Sequence, residues 1–180
     1  MSYNLVLFAP RPGVDAREIA LAEDGDGERG VRDPGREAAK RKIADALLKH
    51  DRQLEIFEFD YDEISKLHKM PVEQVYERFR HIEINDTAND GIQITLFDAH
   101  ASITIPYWHK GAAARTVFAR LWALIEVVCR EGGYEVFDAQ LDRVISASAF
   151  EDVLARYQGV ATRMDDMIGR APRKPWWKFW

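Results

Sequence analysis

Cysteine is almost absent from this sequence: Cys129 is the single thiol among 180 residues. No intramolecular disulfide can therefore form, and no second cysteine stands nearby to suggest a metal or redox site. Free cysteine is among the residues most often buried, and Cys129 lies in an apolar segment. We expect this thiol to belong to the core.

Long apolar runs and a leader segment are missing as well. No stretch approaches the ~18 to 20 apolar residues that a membrane span requires. The opening residues, MSYNLVLFAP, carry no basic charge, and their apolar run is too short for a signal peptide. We therefore expect a protein of the reducing cytoplasm.

Positive charge is in the minority. Lys and Arg total 25 against 30 Asp and Glu, for a net charge of -5, whereas a nucleic-acid-binding domain usually presents a basic face. Walker loops and the GxSxG and CxxC motifs are also absent. The sequence thus predicts no nucleic-acid partner, no cofactor and no metal site, and it lowers the expectation of an enzyme.

The sequence does contain enough apolar material for one folded domain. Hydrophobic residues make up 47% of the chain and charged residues 31%, proportions typical of a folded protein. We predict a single domain over residues 1–169, with a mobile loop over the glycine-rich, charged residues 23–35. A separate basic and aromatic tail is predicted over residues 170–180.

Two periodicities predict an α+β fold. Alternation of period two over residues 81–85, 92–98 and 101–108 predicts an antiparallel three-strand meander. Further strands are predicted over residues 3–10, 54–60, 134–138 and 143–145, and helices over 15–23, 34–49, 71–80, 112–130 and 150–168, with Asp33 and Asp60 as helix caps. The expected architecture is a single domain with a mostly antiparallel sheet covered by helices.

Residues 62–79 have the spacing of two short helices around a turn, as in a helix-turn-helix. In the second helix two glutamates offset two arginines, whereas contacts to phosphates need a positive surplus there. We interpret the pair as a helical hairpin packed on the core, with four residues directed inward: Ile64, Leu67, Val72 and Val75.

Four carboxylates cluster at the end of the second predicted strand: Glu58, Asp60, Asp62 and Glu63. Paired carboxylates can bind a hard cation or divide acid and base roles. Asp60 and Glu63, however, have the spacing of a helix-capping box, and no glycine-containing calcium loop surrounds them. We interpret Glu58, Asp60 and Asp62 as an acidic contact surface.

Three histidines and one aspartate mark the predicted meander: His81, Asp98, His100 and His109. In a meander the start of one strand can lie near the end of its neighbour, so His81 could meet His109. Two histidines with Asp98 could then form a metal site or a proton shuttle. This cluster is the basis of an alternative hypothesis, a small hydrolase or metal-dependent enzyme.

The last residues, PRKPWWKFW, combine positive charge with four large aromatic side chains: Trp176, Trp177, Phe179 and Trp180. Pro172 and Pro175 prevent the preceding helix from continuing. Aromatic side chains of this size need a cover if they are not to cause aggregation. The cover can be a groove of the same domain, another protein or a second copy of the chain. A membrane surface is the least favoured cover, because one short segment would bind it weakly.

Three stretches carry a resemblance to known proteins: YNLVLF followed by PRPG, GIQITLFDAHASITIPYW, and YEVFDAQLDRVI. Over most of the chain up to about Ile145, they resemble a group of bacterial α+β proteins of unassigned function. Some members of that group are similar to immunity proteins, which neutralise a toxin partner. The resemblance implies an interaction protein and carries over no catalytic residue.

The leading hypothesis is therefore a cytoplasmic, non-enzymatic bacterial protein of immunity or adaptor type. It would act by protein–protein binding or by self-association, through the acidic surface and the aromatic tail. The enzyme that uses the three histidines and Asp98 is the alternative.

Overall fold

The computed structural model describes residues 2–23 and 32–170 and centres on a seven-stranded antiparallel sheet. In chain order the strands are β1 (Ser2–Phe8), β2 (Leu54–Ile56), β3 (Ile82–Asp86), β4 (Gln93–Leu96), β5 (His100–Pro106), β6 (Glu135–Asp138) and β7 (Arg143–Ile145). Across the sheet they follow the order β2-β3-β4-β5-β1-β6-β7, so β2 and β7 form its edges. The α+β class and the antiparallel meander of β3, β4 and β5 are confirmed.

Helices join and cover the strands. They are α1 (Ala16–Glu23), α2 (Pro34–His50), α3 (Tyr61–His68), α4 (Val72–Arg78), α5 (Gly111–Gly132) and α6 (Phe150–Arg170). Two predicted caps are present: the Asp33 carboxylate accepts a hydrogen bond from the Gly35 amide at 2.7 Å, and Asp60 accepts one from the Glu63 amide at 2.9 Å. Within the described ranges, no helix has the length and apolar character needed to cross a membrane.

The two faces of the sheet differ in their cover. Because side chains alternate along a strand, Ile94 and Leu96 point to one face and Thr95 and Phe97 to the other. The first face packs under α2, α5 and α6 in the main core, and α5 contributes buried side chains along most of its length. The second face carries a smaller apolar cluster, in which α1 covers part of β1 and β6.

Cys129 lies in α5, partly buried against the main core, as the sequence predicts. Burial raises the pKa of its thiol to about 11. The thiol is therefore protonated at neutral pH and behaves as a small apolar side chain. The wide apolar arc of α5, in which this residue lies, is the arc expected of a helix packed on a sheet.

The second strand is shorter than predicted. The sequence favours a strand over residues 54–60, but β2 ends at Ile56. Beyond Ile56, the Phe57 amide still donates to a β3 carbonyl at 2.8 Å. Asp60 then caps α3, and the rings of Phe57 and Phe59 pack on each other at 5.2 Å. The start of the next helix thus overrides the strand-forming composition of this stretch.

Two predicted segments lie wholly or partly outside the described residues. The loop predicted over residues 23–35 falls between α1, which reaches Glu23, and α2, which begins at Pro34, and residues 24–31 are not described. The tail predicted over residues 170–180 begins at Arg170, the last described residue. Its four large aromatic residues lie beyond it: Trp176, Trp177, Phe179 and Trp180.

Candidate functional site

The residues proposed for an enzyme lie in three separate places. Strand register aligns His81, Phe97 and His100 in one row on the less covered face of the sheet. The His81 ring centroid lies 5.2 Å from that of Phe97, which stacks on His100 at 4.3 Å. The phenyl ring therefore lies between the two imidazoles. Burial lowers the pKa of His81, so this imidazole is neutral at pH 7.

Asp98 belongs to a buried group of charges next to α2. Its carboxylate lies 2.8 Å from the Lys40 ammonium and 2.7 Å from the Arg80 guanidinium. Lys40 in turn lies 2.9 Å from the Glu37 carboxylate and donates to the Arg80 carbonyl at 3.0 Å. We refer to these four residues, Glu37, Lys40, Arg80 and Asp98, as the Lys40 cluster.

The charge state of Asp98 follows from these contacts. Burial by itself would raise the pKa of the Asp98 carboxyl, but hydrogen bonds from Lys40 and Arg80, together with the charges of these two cations, outweigh burial and lower the pKa. The carboxylate stays ionised and is held by two cations. Its role in this arrangement is that of an ion-pair partner between α2, β3 and β4.

His109 lies at the opposite end of β5 from His100. Its Nε2 atom is 2.7 Å from the Asp90 carbonyl oxygen, and its backbone amide donates to the Tyr157 hydroxyl at 3.1 Å. A strand of this length separates the two histidines by about 20 Å. The contact between His81 and His109 that a meander allows does not form, because the register places His81 in the row with His100. Among the described residues, no group of three or more His, Cys, Asp or Glu side chains is arranged to hold a metal ion.

A second group of charges, which sequence reasoning missed, surrounds Arg120. Its guanidinium contacts three carboxylates, those of Asp51 at 2.6 Å, Asp86 at 2.5 Å and Asp90 at 2.8 Å. We refer to these four residues as the Arg120 cluster. Burial by itself would raise the pKa of Asp51 and Asp86, but hydrogen bonds from Arg120 and from backbone amides, together with the Arg120 charge, outweigh burial and lower the pKa of both. One signal was present in the sequence: Arg120 falls on the apolar arc of α5, where a charge predicts a buried partner.

Two clefts open at the β2 edge of the sheet, and the segment between β2 and α3 lines both. The inner cleft, of about 590 Å³, is lined by Arg32, Glu37, Arg41, Ile56, Phe57, Glu58, Phe59, Tyr61, Tyr76, Arg80, His81 and Ile82. The outer cleft, of about 650 Å³, is lined by Phe57, Glu58, Phe59, Asp60, Glu63, Ile64, Lys66 and Leu67. Residues 57–59 belong to both linings.

Large apolar side chains are exposed at this edge. Phe57 is 47% exposed, Leu67 75% and Tyr76 53%. The Tyr76 ring packs on that of Tyr61, with the centroids 4.2 Å apart, so the exposed surface continues into an aromatic wall. A concentration of exposed apolar side chains rimmed by polar groups is typical of a binding surface.

The α3–α4 hairpin causes part of this exposure. The hairpin is confirmed, but only one of the four residues predicted to point inward, Val75, is fully buried. Ile64 and Val72 are half-buried, and the inward orientation predicted for Leu67 is wrong. Helical periodicity identifies an apolar face but does not distinguish a face packed on the core from one that lines a groove.

The two clefts differ in charge. The outer cleft carries three carboxylates against the single cation Lys66: Glu58, Asp60 and Glu63. The inner cleft carries three arginines against two glutamates. Its Arg41 forms no ion pair with any residue that the structure describes, and the Arg32 side chain is 63% exposed. The edge therefore presents an acidic cleft beside a mildly basic one.

The residues that the sequence predicts as contacts have separate locations. Glu58 and Asp60 line the outer cleft, whereas Asp62 is exposed in the first turn of α3 and does not line either cleft. The four aromatic residues of the tail lie outside the described residues, so their contact role stays a prediction.

No protein family model, no curated protein and no solved structure matches the chain. The resemblance to bacterial immunity proteins therefore stays a prediction. The case for a function depends on the geometry and the charges of the β2 edge.

Proposed function

We propose that this protein is a non-enzymatic interaction protein of immunity or adaptor type and that it binds a protein partner at the β2 edge. One observation carries the proposal: Phe57, Leu67 and Tyr76, all largely exposed, lie on the segment and the hairpin that form the two clefts. Apolar side chains in contact with water have an unfavourable free energy, which a partner removes by covering them.

The composition of the edge suits such an interface. Interface centres are enriched in aromatic side chains and arginine, and charged residues form their rims. The two clefts together bring four aromatic residues, Phe57, Phe59, Tyr61 and Tyr76, next to charges of both signs. The outer cleft, with its surplus of carboxylates, fits a partner that presents basic groups beside an apolar anchor.

The alternative enzyme has less support. A proton shuttle or a nucleophile–base pair requires its groups within hydrogen-bonding reach, roughly 3 Å. Phe97 lies between the two imidazoles of its row, Asp98 is held in the Lys40 cluster, and His109 lies at the far end of β5. These separations favour binding over catalysis as the role of the surface.

A matched pair of surface substitutions tests the proposal. Leu67→Asp places a charge in the outer cleft, at a side chain that is 75% exposed. Val144→Asp places the same charge on the opposite sheet edge, β7, at a side chain that is 40% exposed. With each protein tagged in its native host, we expect a stoichiometric partner to co-purify with the wild type and with Val144→Asp. The same partner should be lost from Leu67→Asp.

Both substitutions lie at exposed positions, so urea unfolding should show nearly unchanged midpoints for the two variants. This control separates loss of binding from loss of folding. A wild type that recovers no stoichiometric partner would contradict the proposal, and so would equal recovery by Leu67→Asp and Val144→Asp.

A further inference from the structure

We propose that the outer cleft binds the tail, residues 170–180, of a second copy of this chain, so that two copies exchange their tails. The inference rests on the proposed function, because it assigns an occupant to the cleft at which a partner is proposed to bind. It adds a regulation of that site, since the tail and the partner would compete for it.

Charge complementarity is the first argument. The outer cleft has three carboxylates and the single cation Lys66. The tail has four cations, Arg170, Arg173, Lys174 and Lys178, and no acidic residue. Opposite charges on two surfaces accelerate their encounter and fix their orientation. The inner cleft, with its surplus of arginines, does not complement this segment.

The apolar wall of the outer cleft is the second argument. Phe57, Ile64 and Leu67 supply apolar lining between the carboxylates. The cleft volume of about 650 Å³ lies within the roughly 300–1,000 Å³ of pockets that hold small-molecule ligands. It can therefore admit indole or phenyl side chains, of which the tail has four. Occupation would cover both the exposed wall and the aromatic side chains of the tail.

The direction of α6 is the third argument, because it identifies the copy that supplies the tail. α6 begins beside the middle of α5, where the Phe150 ring lies 5.5 Å from that of Trp122. It then passes the start of α5, where the Gln158 side-chain amide donates to the Gly111 carbonyl at 3.3 Å. From there it continues to Arg170, roughly 18 Å farther in the same direction.

The clefts lie at the other end of the strands. The Phe59 ring packs on His81 at 5.0 Å, and His81 shares a row with His100 at the start of β5, whereas Gly111 follows the end of β5. β5 itself spans about 20 Å, and the ten residues after Arg170 span at most about 35 Å when fully extended. A chain's own tail would be fully extended before it came level with the cleft, so the occupant comes from a second copy.

A charge swap in the full chain tests this inference. In the cleft-reversed variant, Glu58→Lys and Glu63→Lys make the outer cleft basic. In the tail-reversed variant, Arg173→Glu, Lys174→Glu and Lys178→Glu make the tail acidic. Sedimentation equilibrium over a range of concentrations gives the mass of the wild type, of each variant alone and of their equimolar mixture.

We expect the wild type to form a dimer and each variant alone to have a dissociation constant at least about tenfold higher, because like charges then face each other. The mixture should regain the association of the wild type, since each cleft meets a tail of opposite charge. Restored association in the mixture also shows that both variants fold.

A wild type that stays monomeric would overturn the inference. So would a mixture that associates no more than either variant alone, or variants that dimerise as tightly as the wild type. These outcomes are independent of partner capture: a monomeric wild type that still recovers its partner through Leu67 would overturn tail exchange and leave the proposed function standing. Absence of a partner would overturn the proposed function instead.

Discussion

The Lys40 cluster and the Arg120 cluster lie beside opposite ends of β3 and β4, yet they differ in charge balance and in the burial of their cations. In the Lys40 cluster two cations meet two carboxylates; the side chains of Lys40, Arg80 and Asp98 are 2%, 5% and 5% exposed, and that of Glu37 is 24% exposed. In the Arg120 cluster one cation, 17% exposed, meets three carboxylates: the side chains of Asp51, Asp86 and Asp90 are 13%, 0% and 26% exposed.

Because of this difference, we expect the loss of a charge to affect stability more in one cluster and the response to acid more in the other. Loss of one partner in a desolvated, balanced cluster leaves a charge that neither water nor the protein compensates. In the Arg120 cluster, the Asp86 carboxylate also accepts hydrogen bonds from three backbone amides of the following turn, and Asp90 reaches solvent. We therefore expect substitutions in the Lys40 cluster to lower the free energy of unfolding most. Substitutions in the Arg120 cluster should change the pH dependence of that free energy most.

The largest effect is expected from Lys40→Met, which removes the ammonium from Asp98 and Glu37. Asp98 and Glu37 then lose a buried partner, and we expect the free energy of unfolding in urea to fall by about 3–5 kcal/mol. Lys42→Met on the same helix is the matched control, because the Lys42 side chain is 66% exposed and its ion pair lies at the surface. Equal unfolding midpoints for the two variants would contradict this view of the Lys40 cluster.

A smaller loss is expected from Arg120→Met. Three carboxylates lose their common cation, but backbone amides still donate to Asp51 and to the buried Asp86, and Asp90 reaches solvent. The loss should therefore be about 2–3 kcal/mol in the same urea experiment. Arg130→Met, also in α5 and 64% exposed at the side chain, is the control that should leave the midpoint unchanged. A larger loss for Arg120→Met than for Lys40→Met would reverse the comparison between the clusters.

The acid response sharpens the comparison further. The folded-state pKa values of Asp51, Asp86 and Asp98 are lowered, so these groups stabilise the fold above the unfolded-state pKa of about 3.9. That stability is lost as the pH falls from about 4 towards the folded-state values. In urea titrations over this pH range, Arg120→Met should weaken the pH dependence of the free energy of unfolding, because Asp51 and Asp86 lose the cation that helps backbone amides to lower their pKa. If the pH dependence of the free energy of unfolding is unchanged, other carboxylates cause the loss of stability in acid.

The smallest effect on stability is expected at the β2 edge, away from both clusters. Leu67→Ser removes an exposed apolar side chain, so the free energy of unfolding should stay within about 0.5 kcal/mol of the wild type. Partner capture should nevertheless fall. If Leu67→Ser destabilises the fold as much as Arg120→Met, the side chain belongs to the core and the outer cleft is not a binding surface.

Much of the fold could be predicted because its signals are local. Alternation along β3, β4 and β5 and the caps Asp33 and Asp60 depend on residues that are close in the sequence. The length of β2 could not be predicted, since strand composition over residues 54–60 competes with the helix that Asp60 begins. Strand order was also beyond local patterns, because β1 pairs with β5 and β6, which are distant in sequence.

The candidate site was predictable in part. Of the acidic contact surface that the sequence predicts, Glu58 and Asp60 line the outer cleft and Asp62 does not. The role of Asp98 was not identified, because its partners Lys40 and Arg80 come from other elements and only the tertiary fold brings them within 3 Å. Arg120 was missed for the same reason, although its place on an apolar arc was visible.

The short strands at both edges of the sheet have a consequence for how copies can assemble. β2 and β7 each contain three residues, so each edge offers few unpaired amides and carbonyls. A strand of another molecule therefore finds few backbone groups to pair with, which limits the open-ended strand addition that produces amyloid-like fibrils. Contacts at these edges are left to side chains, which can discriminate one molecule from another where a bare backbone cannot.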